Sequence, residues 1–208
     1  MSASTDGSPA PAAAAAVFGA ALPLAERYVA LLASRGVEWG LVGPHEQPRL
    51  WDRHVLNSVA VASAIPDASL VLDVGSGAGM PGIPLALVRP DLRITLLEPL
   101  ARRVRFLEMA TDELDLADRV RIVRGRAEDH REAYDVVTCR AVAPLTRLLS
   151  WTAPLFCPGG SLVALKGESA DTEVASAAKE LRKRRLSARV QIVQPHPDVE
   201  ATRLVIVS

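Results

Sequence analysis

The stretch LVLDVGSGAGMPG, residues 70–82, decides the fold. A short apolar run, Leu70 to Val74, carries Asp73 near its end and feeds glycines at 75, 77, 79 and 82. A β-branched strand running into a glycine-dense turn is how an open α/β sheet begins a nucleotide-type site. Glycines there let the backbone take dihedrals that a Cβ forbids and come close to a ligand.

Two ligand patterns fit this array. Gly77-x-Gly79-x-x-Gly82 satisfies the dinucleotide fingerprint, and Glu98 follows at a distance suited to a ribose contact. Asp73-x-Gly75-x-Gly77-x-Gly79 is instead the acidic, alternate-glycine pattern of S-adenosylmethionine enzymes. The prolines favour the second. A pyrophosphate needs free amides at a helix start, and Pro81 and Pro84 offer none. S-adenosylmethionine has no phosphate, so nothing is lost. Asp73 is placed either to meet a methionine ammonium or to order the loop.

At 208 residues with 49% hydrophobic content, the chain suits one domain with a short extension. The formal net charge is zero, so there is no global basic field to hold nucleic acid in bulk, although a local basic face is possible. Cys139 and Cys157 have no partners at zinc spacing, and no metal is expected. No stretch reads as long and apolar enough to span a membrane. The start MSASTDGSPAPAAAAAV lacks the basic residues of a secretory signal. The expectation is a cytoplasmic monomer with a flexible tail over 1–16, a helical extension over 17–66 and the main domain over 67–208.

In the extension, helical spacing covers Leu24–Leu32 and one longer helix covers Gln47–Ala64, closed by Pro66. Strands are expected at Leu70–Val74, Ile94–Glu98, Arg121–Arg124, Tyr134–Cys139 and Ser161–Lys166. Between them lie helical or irregular stretches at Ile83–Val88, Leu100–Leu114, Arg126–Arg131 and Leu145–Trp151. This alternation implies an α/β, Rossmann-like, mostly parallel sheet. Asp171–Leu186 reads as a helix. Arg189–Val193 and Arg203–Val207, joined without a helix, complete seven strands as a C-terminal antiparallel hairpin.

In such sheets the ligand lies beyond the carboxyl ends of the strands. Glu98, ending the second, suits ribose hydroxyls; the alternative is a solvated carboxylate at the next helix start. Ala127 and Glu128, after the third, suit adenine. Arg140, ending the fourth, suits the methionine carboxylate or guanine O6; its alternative is an ion pair with Glu128 or Asp73. Cys139 reads as a small buried hydrophobe. Trp51-Asp52-Arg53-His54 is either a contact over the site or a helix packed on the sheet by Trp51. The arginines near 102–105, 119–126 and 182–185 read singly as solvated and together as an RNA track.

The segments LWDRHVLNS, DVGSGAGMPGIPLAL, RRVRFLE, GRAEDH, CRAVAPL and LVALKGE, in that order over about residues 24 to 170, resemble one family. It is the bacterial 16S rRNA (guanine-N7) methyltransferases of the RsmG type, also called glucose-inhibited division protein B. The resemblance implies a class I methyltransferase that uses S-adenosylmethionine, with 16S rRNA or the 30S subunit as its partner. It places cofactor contacts at Gly75, Met80, Ala127, Glu128 and Arg140, beside Asp73, Gly77 and Glu98 from the motif reading. No acid or base is assigned, and Arg140 stands as a substrate orienter. The alternatives are a methyltransferase for small molecules or proteins, and a cofactor-binding module without turnover.

Overall fold

A computed structural model describes residues 9–156 and 159–208. Seven strands form one sheet: β1 Leu70–Val74, β2 Arg93–Glu98, β3 Val120–Arg124, β4 Val136–Arg140, β5 Ser161–Lys166, β6 Ala188–Val193 and β7 Thr202–Val207. Their order is β3-β2-β1-β4-β5-β7-β6. The first five pair in parallel, and β7 runs antiparallel between β5 and β6. β1 and β4 lie centrally and are buried along nearly their whole length. This is why they read as continuous apolar runs rather than alternating ones.

Helices cover both faces. Those after the extension are α3 Gly82–Val88, α4 Ala101–Glu113, α5 Leu145–Phe156 and α6 Ala170–Arg184, preceded by α1 Ala12–Phe18 and α2 Leu22–Leu31. One core joins α1–α4 to the sheet through Tyr28, Leu50, Trp51, Ile83 and Phe106. The other joins α5 and α6 to the opposite face through Leu148, Leu149, Phe156, Ala177 and Leu181. α6 carries Asp171 and Glu173 in its first turn and Arg182, Lys183 and Arg184 in its last, the arrangement its dipole favours.

Four expectations are corrected. The flexible tail to residue 16 is helical from Ala12, and Ala13 and Ala14 are buried; alanine is the strongest helix former, and here it also packs. The part of the tail before residue 9, like Cys157, lies outside the described residues. The helical run Ala12–Gly36 does meet the length and apolarity of a membrane span, with mean hydropathy 1.4. Its alanine and leucine content raises that value, and Ala25, Tyr28, Val29 and Leu32 of the same run are buried in the core.

The single helix over Gln47–Ala64 is broken into a 3-10 segment Pro44–Arg49, a π-helical segment Leu50–Leu56 and a 3-10 segment Val59–Ala64. Pro48 has no N–H for a regular ladder. Within the π segment, the Arg53 and His54 carbonyls accept hydrogen bonds from Arg140. Carbonyls engaged from outside the helix favour the wider i→i+5 pattern. Finally, α5 continues beyond Trp151 through Pro154, while Arg126–Arg131 is helical over Ala127–Asp129 and irregular around it, within its expectation. The buried stripe of α5 runs on through Leu155 and Phe156 and outweighs one missing amide.

Candidate cofactor site and its neighbour

The glycine loop is held to the sheet at three levels. Gly75 and Ser76 donate their amides to the Leu97 carbonyl of β2, at 2.8 and 3.2 Å. Glu98 accepts from the Gly77 amide at 2.9 Å through one oxygen and from the Leu100 amide at 3.1 Å through the other. Asp73 accepts from the Gly82 amide at 3.1 Å. Gly75, Gly77 and Gly79 all have positive φ, which is what the loop requires of them. From below, the Tyr28 hydroxyl donates to the Ala78 carbonyl at 2.7 Å, so the helical extension supports the loop directly.

Above the loop is a cleft of about 580 Å³. Gly75, Gly77, Met80, Glu98 and Arg140 line it together; Asp73, Ala127 and Glu128 are not among its lining residues. Asp73 is fully buried behind the loop. Of its two anticipated roles, the ordering of the loop is visible in the Gly82 bond. Ala127 is buried beyond β3, and Glu128 is exposed there. Leu100 went unremarked in the sequence, yet it lines the cleft beside Glu98 and is half exposed. The available signal was a large apolar residue at a helix start directly after a strand-end carboxylate.

Asp73 is the electrostatic oddity. Burial pushes its carboxyl up to about 7, with a contribution from the nearby Glu98 charge. Its second oxygen has no hydrogen-bond partner among the described residues. The unfolded chain releases this proton near pH 4, whereas the native state keeps it to about 7. The native state therefore binds more protons across that window, and stability falls as pH rises through it, then levels off. Asp73→Asn keeps an acceptor for Gly82 and carries no charge. Its urea midpoint should lack the fall that the wild type shows between pH 4 and 7; an identical profile in both proteins would contradict this assignment.

Arg140 is gripped by the extension. One terminal nitrogen donates to the His54 carbonyl at 3.1 Å and the Ser58 hydroxyl at 3.3 Å, and lies 3.6 Å from Met80 Sδ. The other donates to the Arg53 carbonyl at 3.0 Å and to His54 Nδ1 at 2.8 Å. The anticipated alternative, an ion pair with Glu128 or Asp73, is absent among the described residues. Backbone carbonyls 86 residues upstream take its place, a contact that strand-end reasoning does not reach. Burial pulls the guanidinium below its usual value, though it stays charged.

His54 completes the arrangement. Its Nδ1 accepts from Arg140, so the proton sits on Nε2, which donates to Glu46 at 2.7 Å. Burial lowers the imidazole pKa, against the opposing pull of Glu46. The unfolded chain then takes up its proton first, near pH 6.5, and stability declines as pH falls below that point. His54→Gln should remove this acid-side decline in a urea-midpoint profile. The anticipated knot thus divides its roles: Trp51 is buried against Phe18, while His54 lines the cleft.

Cys139 is buried, and its thiol is pushed up to about 12, so it is no nucleophile. The loop fits S-adenosylmethionine better than a dinucleotide, because Asp73 already occupies the Gly82 amide at the start of α3. A pyrophosphate finds no such donor there, whereas a phosphate-free nucleoside needs none. Glu98 lines the cleft at the end of β2, with Arg103 at 3.7 Å from one of its oxygens, and suits a ribose.

Comparisons with known proteins show the family and the fold. The family profile described as rRNA small subunit methyltransferase G matches residues 21–196. A ribosomal RNA small subunit methyltransferase G from Kineococcus radiotolerans is 53% identical over 188 residues, covering 89% of this chain and 74% of the relative. Its counterpart in Salinispora tropica is 58% identical over 174 residues, covering 80% and 72%. Among solved structures, a SAM-dependent methyltransferase from Thiobacillus denitrificans in complex with S-adenosyl-L-homocysteine superposes with a TM-score of 0.52. It is 13% identical and covers 74% of this chain and 90% of that one, a likeness of fold.

Proposed function

This chain belongs to the rRNA small subunit methyltransferase G family, and from that premise we propose that it methylates guanine N7 of 16S rRNA. S-adenosylmethionine is the donor, and the 30S subunit or its rRNA is the acceptor. The observation that carries the cofactor reading is the Asp73–Gly82 bond, which leaves a glycine loop shaped for a nucleoside without phosphates. An rRNA acceptor supports a cytoplasmic location.

Bound in the loop cleft, S-adenosylmethionine would supply an electrophilic methyl group on a sulfonium. Gly75, Gly77 and Met80 would hold it from below, Glu98 would accept from its ribose hydroxyls, and Leu100 would offer an apolar surface beside them. Ala127 and Glu128, which lie beyond β3 and outside the cleft lining, would serve the adenine only at its outer edge. Arg140 fixes the junction between β4 and the extension, at the point where the acceptor meets the methyl group. Asp73 holds the loop closed from behind.

No residue has to remove a proton. Guanine N7 carries a lone pair and no hydrogen, so a positioned base attacks without general-base help. Rate enhancement then comes from orientation, which can supply about 7–11 kcal/mol in favourable cases. The site agrees with this: His54 is engaged on both ring nitrogens, and Asp73 is sealed from the cleft.

The deciding experiment incubates the protein with methyl-labelled S-adenosylmethionine and 30S subunits from a strain lacking this gene, then maps the label. Incorporation at one guanine N7 of 16S rRNA is expected. Cofactor binding without transfer to any rRNA would overturn the acceptor assignment and keep the fold.

A further inference from the structure

A second cleft, also of about 580 Å³, adjoins the first and shares Arg140 and Ala141 with it. Volumes of about 300–1,000 Å³ are usual for small organic ligands. The two other clefts are poorly placed for a methyl acceptor. One lies on α2 near Arg27 and Glu38, and the other at the amino-terminal side of β1 and β2 near Leu70 and Arg93. Of these three clefts, the adjoining one shares residues with the cleft above the glycine loop.

Sheet order gives this cleft a direction. β4 ends at Arg140 beside the loop, β5 ends at Lys166, and β7 begins at Thr202 on the far side of β5. Two strand spacings, about 10 Å, therefore separate the shared wall from the strand that follows Glu200. The charges differ along the way. Lys166 is neutralised by Glu173 at 2.7 Å. The side chain of Arg203, the register partner of Lys166 on β7, makes no hydrogen bond or ion pair among the described residues, and neither do those of Arg49 and Glu200. Other exposed arginines, such as Arg27, Arg105 and Arg189, are also without a side-chain partner among the described residues; Arg49 and Arg203 are set apart by lining one cleft together.

A cleft with unpaired guanidiniums alone would suit any phosphate. Three carboxylates, Asp52, Glu168 and Glu200, line this one, and Glu200, at the far end beside β7, suits a nucleotide whose base also donates. Guanine presents N1–H and N2–H₂ along one edge and its N7 on the opposite edge. A carboxylate accepts from the first edge and thereby turns N7 towards the shared wall.

Building on the methyltransferase reading, we propose that this second cleft receives the acceptor guanosine of the RNA, drawn out of its stack. Glu200 accepts from its N1–H and N2–H₂. Arg49, from the extension, and Arg203, from β7, hold the phosphates on either side. The donor and acceptor clefts then meet beside Arg140 and Ala141, where N7 would come into direct contact with the methyl carbon. The bond from sulfonium to methyl carbon breaks as the bond from N7 to that carbon forms. The products are S-adenosylhomocysteine and an N7-methylated, cationic base.

Steady-state kinetics on 30S subunits from the deletion strain, together with S-adenosylhomocysteine binding by calorimetry, test this with Glu200→Gln, Arg203→Ala and Arg35→Ala. Arg35 is exposed and pairs with Glu38, away from both clefts. Glu200→Gln should lower kcat/KM about ten- to hundredfold. Arg203→Ala should raise KM severalfold and reduce the salt dependence by about one counterion. Both should bind S-adenosylhomocysteine like the wild type, and Arg35→Ala should match the wild type throughout. An active wild type with both cleft variants within twofold of it would overturn the acceptor cleft alone. Parallel loss of S-adenosylhomocysteine affinity in the two variants would also overturn it, by assigning them a structural role. A wild type that binds cofactor but transfers nothing to 30S would sink the underlying reading instead.

Discussion

Replacing Arg140 with alanine is expected to reduce kcat/KM for methyl transfer by about a hundredfold or more, equivalent to roughly 2.7 kcal/mol. The guanidinium joins the end of β4 to the π-helical segment Leu50–Leu56 through two carbonyls, a hydroxyl and an imidazole nitrogen. A hydrogen bond from a charged donor is worth about 1.5–3 kcal/mol, and its loss leaves the acceptors to be satisfied by water. The wall common to both clefts would loosen, and thermal stability should fall as well. Arg140→Lys should restore little, because one ammonium cannot reproduce the planar fork that reaches two carbonyls and an imidazole at once. Kinetics on 30S subunits beside a melting curve would check this. Activity of Arg140→Ala within threefold of the wild type would refute it.

Gly82→Ala should be nearly as damaging, by a different route. A Cβ there would collide with Leu96 Cδ2 and stand 2.8 Å from the Asp73 carboxylate that accepts the Gly82 amide. Neither neighbour can move freely, since Leu96 lies in β2 and Asp73 in β1, both within the sheet. Overpacking of this kind costs about 1–3 kcal/mol. For a chain of this size, each kcal/mol lowers Tm by roughly 2–4 °C. The displaced loop should also bind S-adenosylhomocysteine at least about tenfold more weakly, measurable by calorimetry. Undiminished binding would show that the loop tolerates the shift. Gly159 is a useful contrast: its φ is positive, but nothing lies within 4 Å of an added Cβ.

The sheet was legible because its evidence is local. Leu70–Val74 and Ser161–Lys166 match the observed strands, and the remaining strands differ by one or two residues at their ends. Continuous apolar runs between amphipathic helices leave few alternatives for a chain of this length. The donor cleft was legible for the same reason, since Gly75, Gly77, Met80 and Glu98 lie close to strand ends in sequence as well as in space. What escaped depends on contacts far apart along the chain. Tyr28 reaches Ala78, 50 residues on, and Arg140 reaches back 86 residues to His54. Periodicity cannot reveal either bond, nor the π-helical turn that the second one imposes. The alanines of α1 were misread because small residues look featureless until a surface is present to receive them. Glu200 and Arg203 carried no motif; their place follows only from where β7 enters the sheet.

The position of β7 has a further consequence for how this protein comes into being. β6 is bonded to the sheet only through β7, which follows it in the chain. A ribosome making this protein therefore releases β6 before its partner exists, and β5 stays an uncovered edge until Thr202–Val207 emerges. Unpaired edges of this kind invite association with other chains. Such non-local closure is also slow compared with forming helices. The strand made after β6 is thus the one that joins it to the sheet, and Arg203 travels with it. A nascent molecule could present its glycine loop well before it has an acceptor cleft, so it would bind cofactor before it could act on any ribosome.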